Sequence, residues 1–320
     1  MLPDLNISHA LLLQGPAGPF MRRFADELRA QGIAATKVNF HAGDAVFFRG
    51  PDALSYRGRF DEWPAFVERL IVERGIDGVF AFGDCRPLHR MAFEVSRGLG
   101  VKVFAFEEGY LRPDWITLEQ GGVNGNSEMP RDPSFYESLS LPDLPEATPI
   151  GASFHYNSWY STLSALAFTH LNGGYPHYQH HRPLNAWYHT FVWCRNVLRK
   201  RRFAWQERHM MSELTGPLSG RYFFVPLQVH CDFQILHSPY DNVLQFVEEV
   251  VATFAEHGRA SDHILFKHHP MDRAYREYGD LFRKHARQFG LDGRLRFCHD
   301  LHLPTLRMNA KGTITINSTV

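Results

Sequence analysis

The stretch Val101-Lys102-Val103-Phe104-Ala105-Phe106-Glu107-Glu108-Gly109 is a short apolar run that ends in two acids and a glycine. β-Branched and aromatic residues bounded by glycines predict a buried strand, with both carboxylates just past its C-terminal end. In an open parallel α/β sheet, ligands bind at this edge. Adjacent residues of an extended chain point in opposite directions, so only one of the two carboxylates can face a ligand. The other interpretation is a pair of solvated acids.

Length and composition set the broad class. The chain has 320 residues, of which 44% are hydrophobic, enough for two ordinary domains. Lys and Arg number 34, as do Asp and Glu, so no overall field attracts nucleic acid. The cysteines are far apart, which predicts reduced thiols in a cytosolic protein rather than disulfides or a zinc site. No signal peptide or run of about 18 apolar residues is present, so we expect neither secretion nor a membrane span.

Strands and helices alternate through the first part of the chain. Strands are predicted at 10–14, 33–40 and 78–82, and helices from Phe20, at 63–74 and at 88–99. Such alternation is typical of a parallel, doubly wound sheet. The first strand leads into Gly15-Pro16-Ala17-Gly18-Pro19, whose backbone N–H groups could meet a phosphate or a sugar. The loop lacks the spacing of known phosphate-binding glycine motifs, and its prolines remove donors. We interpret it as a substrate-side loop, with an ordinary tight turn as the alternative.

The middle of the chain changes character. A Pro-rich surface connection is predicted at 129–149, followed by a helical region at 154–203 that ends in Arg199-Lys200-Arg201-Arg202. This cluster and its aromatic neighbours Trp187, Trp193, Phe203 and Trp205 suit an anionic membrane surface. The alternative is a basic helix end that complements the helix dipole. His177-x-x-His180-His181 has no nearby carboxylate or cysteine, so a surface loop is predicted there and no metal site.

A second α/β pattern follows. Strands are predicted at 222–228, 263–267, 295–297 and 312–316, and helices from Asn242 to His257, at 273–288 and at 301–308. Polar residues again follow the strands: Gln228 and Asp232, Lys267-His268-His269-Pro270, and Asn317-Ser318-Thr319. Pro270 excludes helical geometry at His269 and so holds its imidazole at the strand edge. The final hydroxyls stand where a helix would start, which favours an anion site.

Several motifs occur in a fixed order over most of the chain. They are Gly15-Pro16 with Phe20, residues 39–44, Glu107-Glu108-Gly109-Tyr110-Leu111-Arg112-Pro113-Asp114, Gly122-Val123-Asn124, Pro226-Leu227-Gln228 with Asp232, Lys267-His268-His269-Pro270, and Asn317-Ser318-Thr319. In this order they resemble the capsular polysaccharide biosynthesis family of bacterial β-Kdo glycosyltransferases, and most closely its small single-module type. The two acids with glycine and the His-Pro pair are also similar to those of bacterial sialyltransferases, which use CMP-sugar donors on a GT-B fold.

The resemblance implies a GT-B-like fold, with two Rossmann-like domains facing each other across a cleft. Its divisions are an acceptor-side domain (1–150), a helical connection (151–215) and a CMP-sugar-binding domain (216–320). The implied activity is metal-independent transfer of β-Kdo from CMP-Kdo to a lysophosphatidylglycerol-type lipid, which starts the Kdo linker. CMP-Kdo is the donor substrate and no cofactor is expected. The implied location is the cytoplasm, at the inner face of the cytoplasmic membrane, with capsule assembly or export proteins as further partners.

The resemblance also implies roles for individual residues. Glu108 takes the catalytic acid position, and Glu107 beside it is expected to matter more for stability. For the CMP phosphate the residues are His269, Pro270, Lys267, Ser318 and Thr319, and for substrate they are Gly15, Arg112, Asn124, Gln228 and Asp232. Cleavage of an anomeric C–O bond indeed needs a carboxylate near the sugar and charge stabilisation at the departing phosphate.

Two departures from the family pattern qualify the resemblance. Many related enzymes carry Asp where Glu108 stands here, and family members continue with a helix where this sequence stops at Val320, so a truncated C-terminal domain is expected. Two other functional classes remain open: a CDP-glycerol-type phosphotransferase, which would attack phosphorus, and a non-catalytic capsule assembly or export factor. In either case Glu108 would be dispensable as a nucleophile.

Overall fold

The computed structural model describes residues 5–109, 115–140, 153–180 and 185–317. Its contacts divide the chain into two compact units, residues 1–189 and 190–320. The segment predicted as a helical connection, 151–215, is therefore shared between them. Each unit is built on its own parallel-rich sheet with helices between the strands, which confirms the predicted α/β class.

Unit 1 is organised on six strands. They are β1 (His9–Leu12), β2 (Ala34–Asn39), β3 (Ala53–Ser55), β4 (Gly78–Phe82), β5 (Lys102–Glu108) and β6 (Ile116–Gln120). The order across the sheet is β3-β2-β1-β4-β5-β6, and all neighbours are parallel except the antiparallel pair β5 and β6. The chain leaves β1 toward β2 on one side and reaches β4 on the other side later. The carboxyl ends of β1 and β4 therefore form the topological switch point, the usual position of a ligand crevice.

The helices of unit 1 are α1 (Phe20–Ala30), α2 (Ala42–Ala45), α3 (Trp63–Arg74), α4 (Pro87–Gly98), α5 (Pro133–Glu137) and α6 (Ser153–Leu171), and α7 (Ala186–Gln206) begins there. The predicted helix at 63–74 is confirmed, with a proline in its first turn and Gly75 at φ 61° as its left-handed stop. The Pro-rich connection contains α5, and its residues 141–149 lie outside the described part of the chain.

Successive side chains of β5 point to opposite faces of the sheet and pack into two separate cores. Val103 and Ala105 pack with α3 and α4 on one face of the sheet, whereas Phe104 and Phe106 pack with α1 on the other. Glu107 and Glu108 continue these two faces as the last residues of the strand. The prediction that both acids lie past the strand end is therefore wrong. The antiparallel neighbour β6 extends the ladder by pairing them with Thr117 and Ile116.

Unit 2 has a four-stranded, fully parallel sheet. Its strands are β7 (Tyr222–Pro226), β8 (His263–Lys267), β9 (Leu295–Cys298) and β10 (Gly312–Thr313), in the order β10-β7-β8-β9. Its helices besides α7 are α8 (Met210–Thr215), α9 (Val243–His257), α10 (Gly279–Gln288) and α11 (Leu303–Met308). The switch point lies between β7 and β10. The apolar face of α9 packs over β7 and β8 to form the main core of this unit.

Local signals predicted α9 correctly and two other elements only in part. The side chain of Asn242 caps α9 by accepting from the N–H groups of Leu244 and Gln245 at 3.0 and 3.1 Å. The predicted helix at 273–288 begins only at Gly279. Residues 271–275 form a turn instead, in which the Arg273 side chain donates to Asn196 and pairs with Asp300. The last predicted strand is only two residues long.

The shortness of β10 has a simple cause. Ile314 still donates its N–H to the Phe224 carbonyl at 2.9 Å. The next ladder bond would need an N–H from Pro226, which has none, so the pairing stops there. Within the described residues, no helix combines the length and apolarity needed to cross a membrane.

Candidate functional site

At the switch point of unit 1, polar side chains from three strand ends meet. Gln14, two residues after β1, is buried, and its amide hydrogen-bonds His41 Nε2 at 2.7 Å. Arg86, after β4, donates to Gln14 Oε1 at 3.4 Å, and the Tyr178 hydroxyl lies at the same distance. These residues line the edge that an α/β sheet offers to a ligand.

The histidine of this cluster is held neutral. Burial lowers the pKa of His41 to about 4, and the attraction of Asp44 only partly opposes the fall. Beneath it, Lys37 and Asp44 form a buried ion pair at 2.9 Å, although burial also lowers the pKa of Lys37. The Lys37 ammonium also donates to the Val38 carbonyl at 2.6 Å, which helps to satisfy the buried charge. His41 therefore lies next to this ion pair, and its Nδ1 accepts the N–H of Asp44 at 3.2 Å.

The carboxylate pair at the end of β5 is asymmetric. Glu107 is half-buried, and its two oxygens accept from the Glu108 N–H at 2.9 Å and from Asn124 Nδ2 at 3.2 Å. Burial raises the pKa of Glu107, and the neighbouring charge of Glu108 adds to the rise against those hydrogen bonds. Glu108 is exposed on the opposite face of the strand. By environment, Glu107 has the character of an acid–base group.

The loop that carries Asn124 is fastened to β4. Asn124 adopts the left-handed conformation, φ 56°, which asparagine tolerates better than most residues. Asp84, buried after β4, accepts the Val123 N–H and the Asn126 amide, each at 3.0 Å. A side chain at Gly122 would meet Asp84 Oδ2 at 2.9 Å, so this close approach requires glycine. Asn124 is thus held beside Glu107 by a separate set of bonds.

Gly15 lies in the loop before α1. A Cβ atom there would meet Met21 Cγ at 2.6 Å, so packing of the first helical turn already accounts for a glycine. A contact between this loop and substrate stays a prediction. Arg112, also predicted to contact substrate, lies outside the described residues.

At the switch point of unit 2, Gln228 is the central side chain. It is buried, and its Nε2 donates to Asn317 Oδ1 at 2.8 Å and to Asp232 Oδ2 at 3.4 Å. Asn317 Nδ2 donates in turn to the Gln234 carbonyl at 2.8 Å. The structure thus brings together two predicted sites that are far apart in sequence. The predicted phosphate residues Ser318 and Thr319 follow Asn317 directly but lie outside the described part of the chain.

The residues after β8 alternate between the core and the edge. His269, before Pro270, accepts the Met271 N–H on Nδ1 at 3.2 Å, which places the proton of the neutral ring on Nε2. Its neighbour His268 is buried between Tyr278 and Phe297, and burial lowers the pKa of His268 to about 3. Only His269 of this pair therefore presents a polar ring at the edge.

Lys267 has contacts inside unit 2. It is buried, and its ammonium lies 3.4 and 3.5 Å from the carbonyl oxygens of His268 and His299. Burial lowers the pKa of Lys267. Its assignment to the nucleotide, like those of His269 and Pro270, stays a prediction.

A buried charge network lies at the carboxyl end of β9. His299 donates from Nδ1 to Glu207 and from Nε2 to Glu277 Oε1 at 3.4 Å, and its ring stacks on Phe203 at 3.5 Å. Arg273 pairs with Asp300 beside it. No cluster of three or more His, Cys, Asp or Glu with the spacing of a metal site occurs among the described residues.

Comparison with known proteins identifies the family. A family model described as "Capsule polysaccharide biosynthesis protein" matches residues 77–320. The chain belongs to this family. It is 37% identical over 310 residues to "Capsule polysaccharide export protein KpsS" of Escherichia coli, covering 97% of this chain and 80% of the relative. It is 34% identical over 322 residues to "Capsule polysaccharide modification protein LipB" of Neisseria meningitidis serogroup B, covering 98% and 77%. The resemblance to a KpsS-like capsule protein is thereby confirmed.

The family match includes the edge of unit 2 and, in unit 1, the ends of β4 and β5, but not the residues after β1 and β2. Sequence reasoning missed several polar residues of this capsule protein. Gln14, Asp84 and Arg86 lie within a few residues of the ends of β1 and β4, so the strand-end rule that singled out Glu107 would have found them. Partners in the His299 network had no such signal, because Glu207 lies 92 residues away in sequence.

Proposed function

We propose that the chain is a glycosyltransferase of capsular polysaccharide biosynthesis that transfers β-Kdo from CMP-Kdo to a lysophosphatidylglycerol-type lipid. The observation that carries the proposal is Glu107, a half-buried carboxylate of raised pKa at the ligand edge of a doubly wound sheet. Sugar transfer needs such a group beside the anomeric carbon, where positive charge develops as the bond to phosphate breaks. In this proposal the chain has the GT-B fold that the sequence resemblance implies.

Glu107 is a better candidate than Glu108 for the reacting carboxylate. The resemblance assigns that role to Glu108, but Glu108 is exposed and lies on the opposite face of β5. Glu107 is oriented by Asn124, which Asp84 and the loop around Gly122 support. A positioned carboxylate of raised pKa can take the proton of an acceptor hydroxyl as the bond to sugar forms. Gln14 and Arg86 would then contact the acceptor or the sugar.

The donor phosphate is proposed to bind at the edge of unit 2. His269 carries its proton on Nε2 and can donate it to a phosphate oxygen. Gln228 and Asn317 fix the loop from which Ser318 and Thr319 continue, and these two supply further donors in the proposal. Hydrogen-bond donors of this kind stabilise the charge on a departing phosphate without a metal ion.

The lipid acceptor is proposed to be reached through α7. From 190 onward, one stripe of this helix is buried in unit 2, and the rest of its surface exposes Phe191, Trp193, Val197, Leu198 and Trp205. The helix contains no Asp or Glu, and Lys200, Arg201 and Arg202 are exposed on it. Apolar side chains with cations and no acids suit the interface of an anionic membrane.

Arg199 does not belong to this surface. It donates to the backbone carbonyls of Arg273 and Arg276 at 2.8 and 3.3 Å, within unit 2. The remaining basic residues precede the last turn of α7, where the helix dipole acts most strongly. Their position therefore favours the membrane interpretation over the helix-end interpretation.

The test is incubation of the protein with CMP-Kdo and lysophosphatidylglycerol, followed by assays for CMP release and for a lipid mass gain of one Kdo. Glu107→Gln should lower turnover by about 10²- to 10⁴-fold, whereas Glu108→Gln should cost less than about 10-fold. Both variants keep the shape of the side chain, so each controls for the other. Loss confined to Glu108→Gln would return the catalytic role to Glu108. Absence of CMP release with the wild-type protein would contradict the proposed activity.

A second candidate is a non-catalytic role in capsule export, which the name of the Escherichia coli relative favours. Such a protein would bind lipid through α7 without consuming CMP-Kdo. Glu107→Gln would then have no effect on capsule at the cell surface, whereas charge removal on α7 would reduce it. A phosphotransferase would instead add a phosphate-bearing group to the acceptor, which the lipid mass distinguishes.

A further inference from the structure

The loop that follows β7 carries a histidine held by a buried carboxylate. His230 Nδ1 lies 2.6 Å from Asp272 Oδ1, and the His230 N–H donates to Asp272 Oδ2 at 2.7 Å. Asp272 is fully buried, and both of its oxygens serve the same residue. The carboxylate therefore fixes the position and the plane of one imidazole.

Asp272 is itself held by the turn after β8. Its N–H donates to the His269 carbonyl at 2.9 Å, and its own carbonyl accepts from the N–H groups of Tyr275 and Arg276 at 2.7 and 2.9 Å. These three bonds fix the backbone of Asp272 within the turn. This turn is the one that also presents His269, so a single backbone feature supports two imidazoles.

The two imidazoles leave neighbouring strands at the same edge of the sheet. β7 and β8 are parallel, with Pro226 in register with Lys267. His230 lies four residues beyond Pro226, and His269 lies two residues beyond Lys267. Because parallel strands end at a common edge, both rings belong to the region proposed for the donor phosphate.

The chemistry of the pair suits a proton donor. A buried carboxylate on Nδ1 holds the ring in one orientation, with Nε2 as the nitrogen that a ligand can meet. His230 is partly exposed, and its Nε2 makes no hydrogen bond within the described part of the chain. The hydrogen bond from the backbone N–H of His230 to Asp272 is enough to connect the loop after β7 to the turn after β8. The arrangement instead leaves one ring nitrogen for a ligand.

We propose that His230 is a second phosphate-contacting histidine and the proton donor to the departing CMP, with Asp272 as its positioning residue. The inference rests on the proposed function. As the anomeric C–O bond breaks, its electron pair goes to the phosphate oxygen, and the proton on His230 Nε2 moves to that oxygen. Asp272 keeps its hydrogen bond to Nδ1 throughout, and His230 regains a proton from water. The acceptor hydroxyl proton goes separately to Glu107.

The test combines turnover of CMP-Kdo with calorimetric binding of CMP. His230→Gln should lower kcat by about 10²- to 10³-fold, as expected for loss of a general acid, and should weaken CMP binding by about 10-fold or more. Imidazole added to His230→Ala should restore part of the lost turnover, which a structural role would not produce. His257→Gln is the matched control, because His257 is an exposed histidine at the end of α9.

Asp272→Asn tests the positioning role. The substitution should lower kcat strongly while CMP affinity falls less than in His230→Gln, because the imidazole is present but wrongly oriented. If Asp272→Asn does not fold, the His230 variants still decide the question. If the wild type is active and the kcat of His230→Gln lies within about 3-fold of its value, this inference alone is overturned. A general acid typically contributes about 10²-fold or more. If the wild type does not consume CMP-Kdo, the proposed function fails, and unchanged CMP binding by His230→Gln would overturn the phosphate contact as well.

Discussion

The buried imidazole of His299 should make the stability of unit 2 depend on pH. The substitution that tests this is Glu207→Gln, which removes one of the two carboxylates on the ring and keeps the side-chain shape. Glu207 is buried and also accepts the backbone N–H of His299 at 2.9 Å. The variant therefore exchanges a charge-assisted hydrogen bond for a neutral one, with little change in packing.

The expected loss can be worked from these contacts. A hydrogen bond to a charged group contributes about 1.5–3 kcal/mol, and a neutral one about 0.5–1.5 kcal/mol. Removal of one partner from a buried ion pair costs about 3–5 kcal/mol when the remaining charge must stay buried. Here the imidazole can release its proton instead, so we expect a loss of about 1.5–3 kcal/mol in the free energy of unfolding under mildly acidic conditions.

The pH dependence follows from opposite shifts. Burial opposes protonation of His299, but its hydrogen bonds to Glu207 and Glu277 prevail and raise the pKa above 6.5. Its stabilisation is therefore complete below pH 6.5 and is lost as the pH rises through the raised value. Burial also opposes ionisation of Glu277, yet its hydrogen bond from His299 helps to lower the pKa of Glu277 from 4.5 to about 2. The stabilisation that Glu277 contributes is therefore present above pH 4.5 and is lost as the pH falls through about 2.

The assay is urea unfolding read by hydrogen exchange on peptides around β9, at about pH 5.5 and about pH 8.5, on either side of the ordinary histidine pKa. Glu207→Gln should be clearly less stable than the wild type at the lower pH, and the difference should shrink at the higher pH. Glu213→Gln is the control, because Glu213 pairs with Arg296 at 2.6 Å near the surface, where an ion pair contributes about 0–1 kcal/mol. Equal losses at both pH values, or a loss no larger than that of the control, would refute the reasoning.

Three further predictions concern separate parts of the chain. Asn242→Ala should cost about 1 kcal/mol of unfolding free energy by removing the side-chain cap of α9, and an unchanged urea midpoint would contradict the role of the cap. Replacement of the three cations at 200–202 with Gln should weaken binding to vesicles containing phosphatidylglycerol in a salt-dependent way, and unchanged cosedimentation would contradict membrane docking by α7. His269→Ala should weaken CMP binding by about 10- to 100-fold in calorimetry, whereas Glu108→Gln should leave it unchanged. Equal losses of CMP affinity in the two variants would contradict the proposed position of the nucleotide.

Local sequence determined most of the elements of both sheets. Runs of β-branched and aromatic residues specified β4 and β8 to the residue, because a buried parallel strand needs a continuous apolar run. The cap at Asn242 was equally readable, since it acts through bonds within one turn. The strand-end rule likewise predicted that Glu107 and His269 lie near the carboxyl edges of the two sheets.

Only the tertiary structure decided how these residues are used. The antiparallel pairing of β6 drew Glu107 into the ladder, and the loop that carries Asn124 placed a hydrogen-bond donor on its carboxylate. His230 and Asp272 lie 42 residues apart, and His299 and Glu207 lie 92 apart. No local pattern encodes such pairs, because the geometry of a hydrogen bond between distant segments is set by the turns and helices that pack between them.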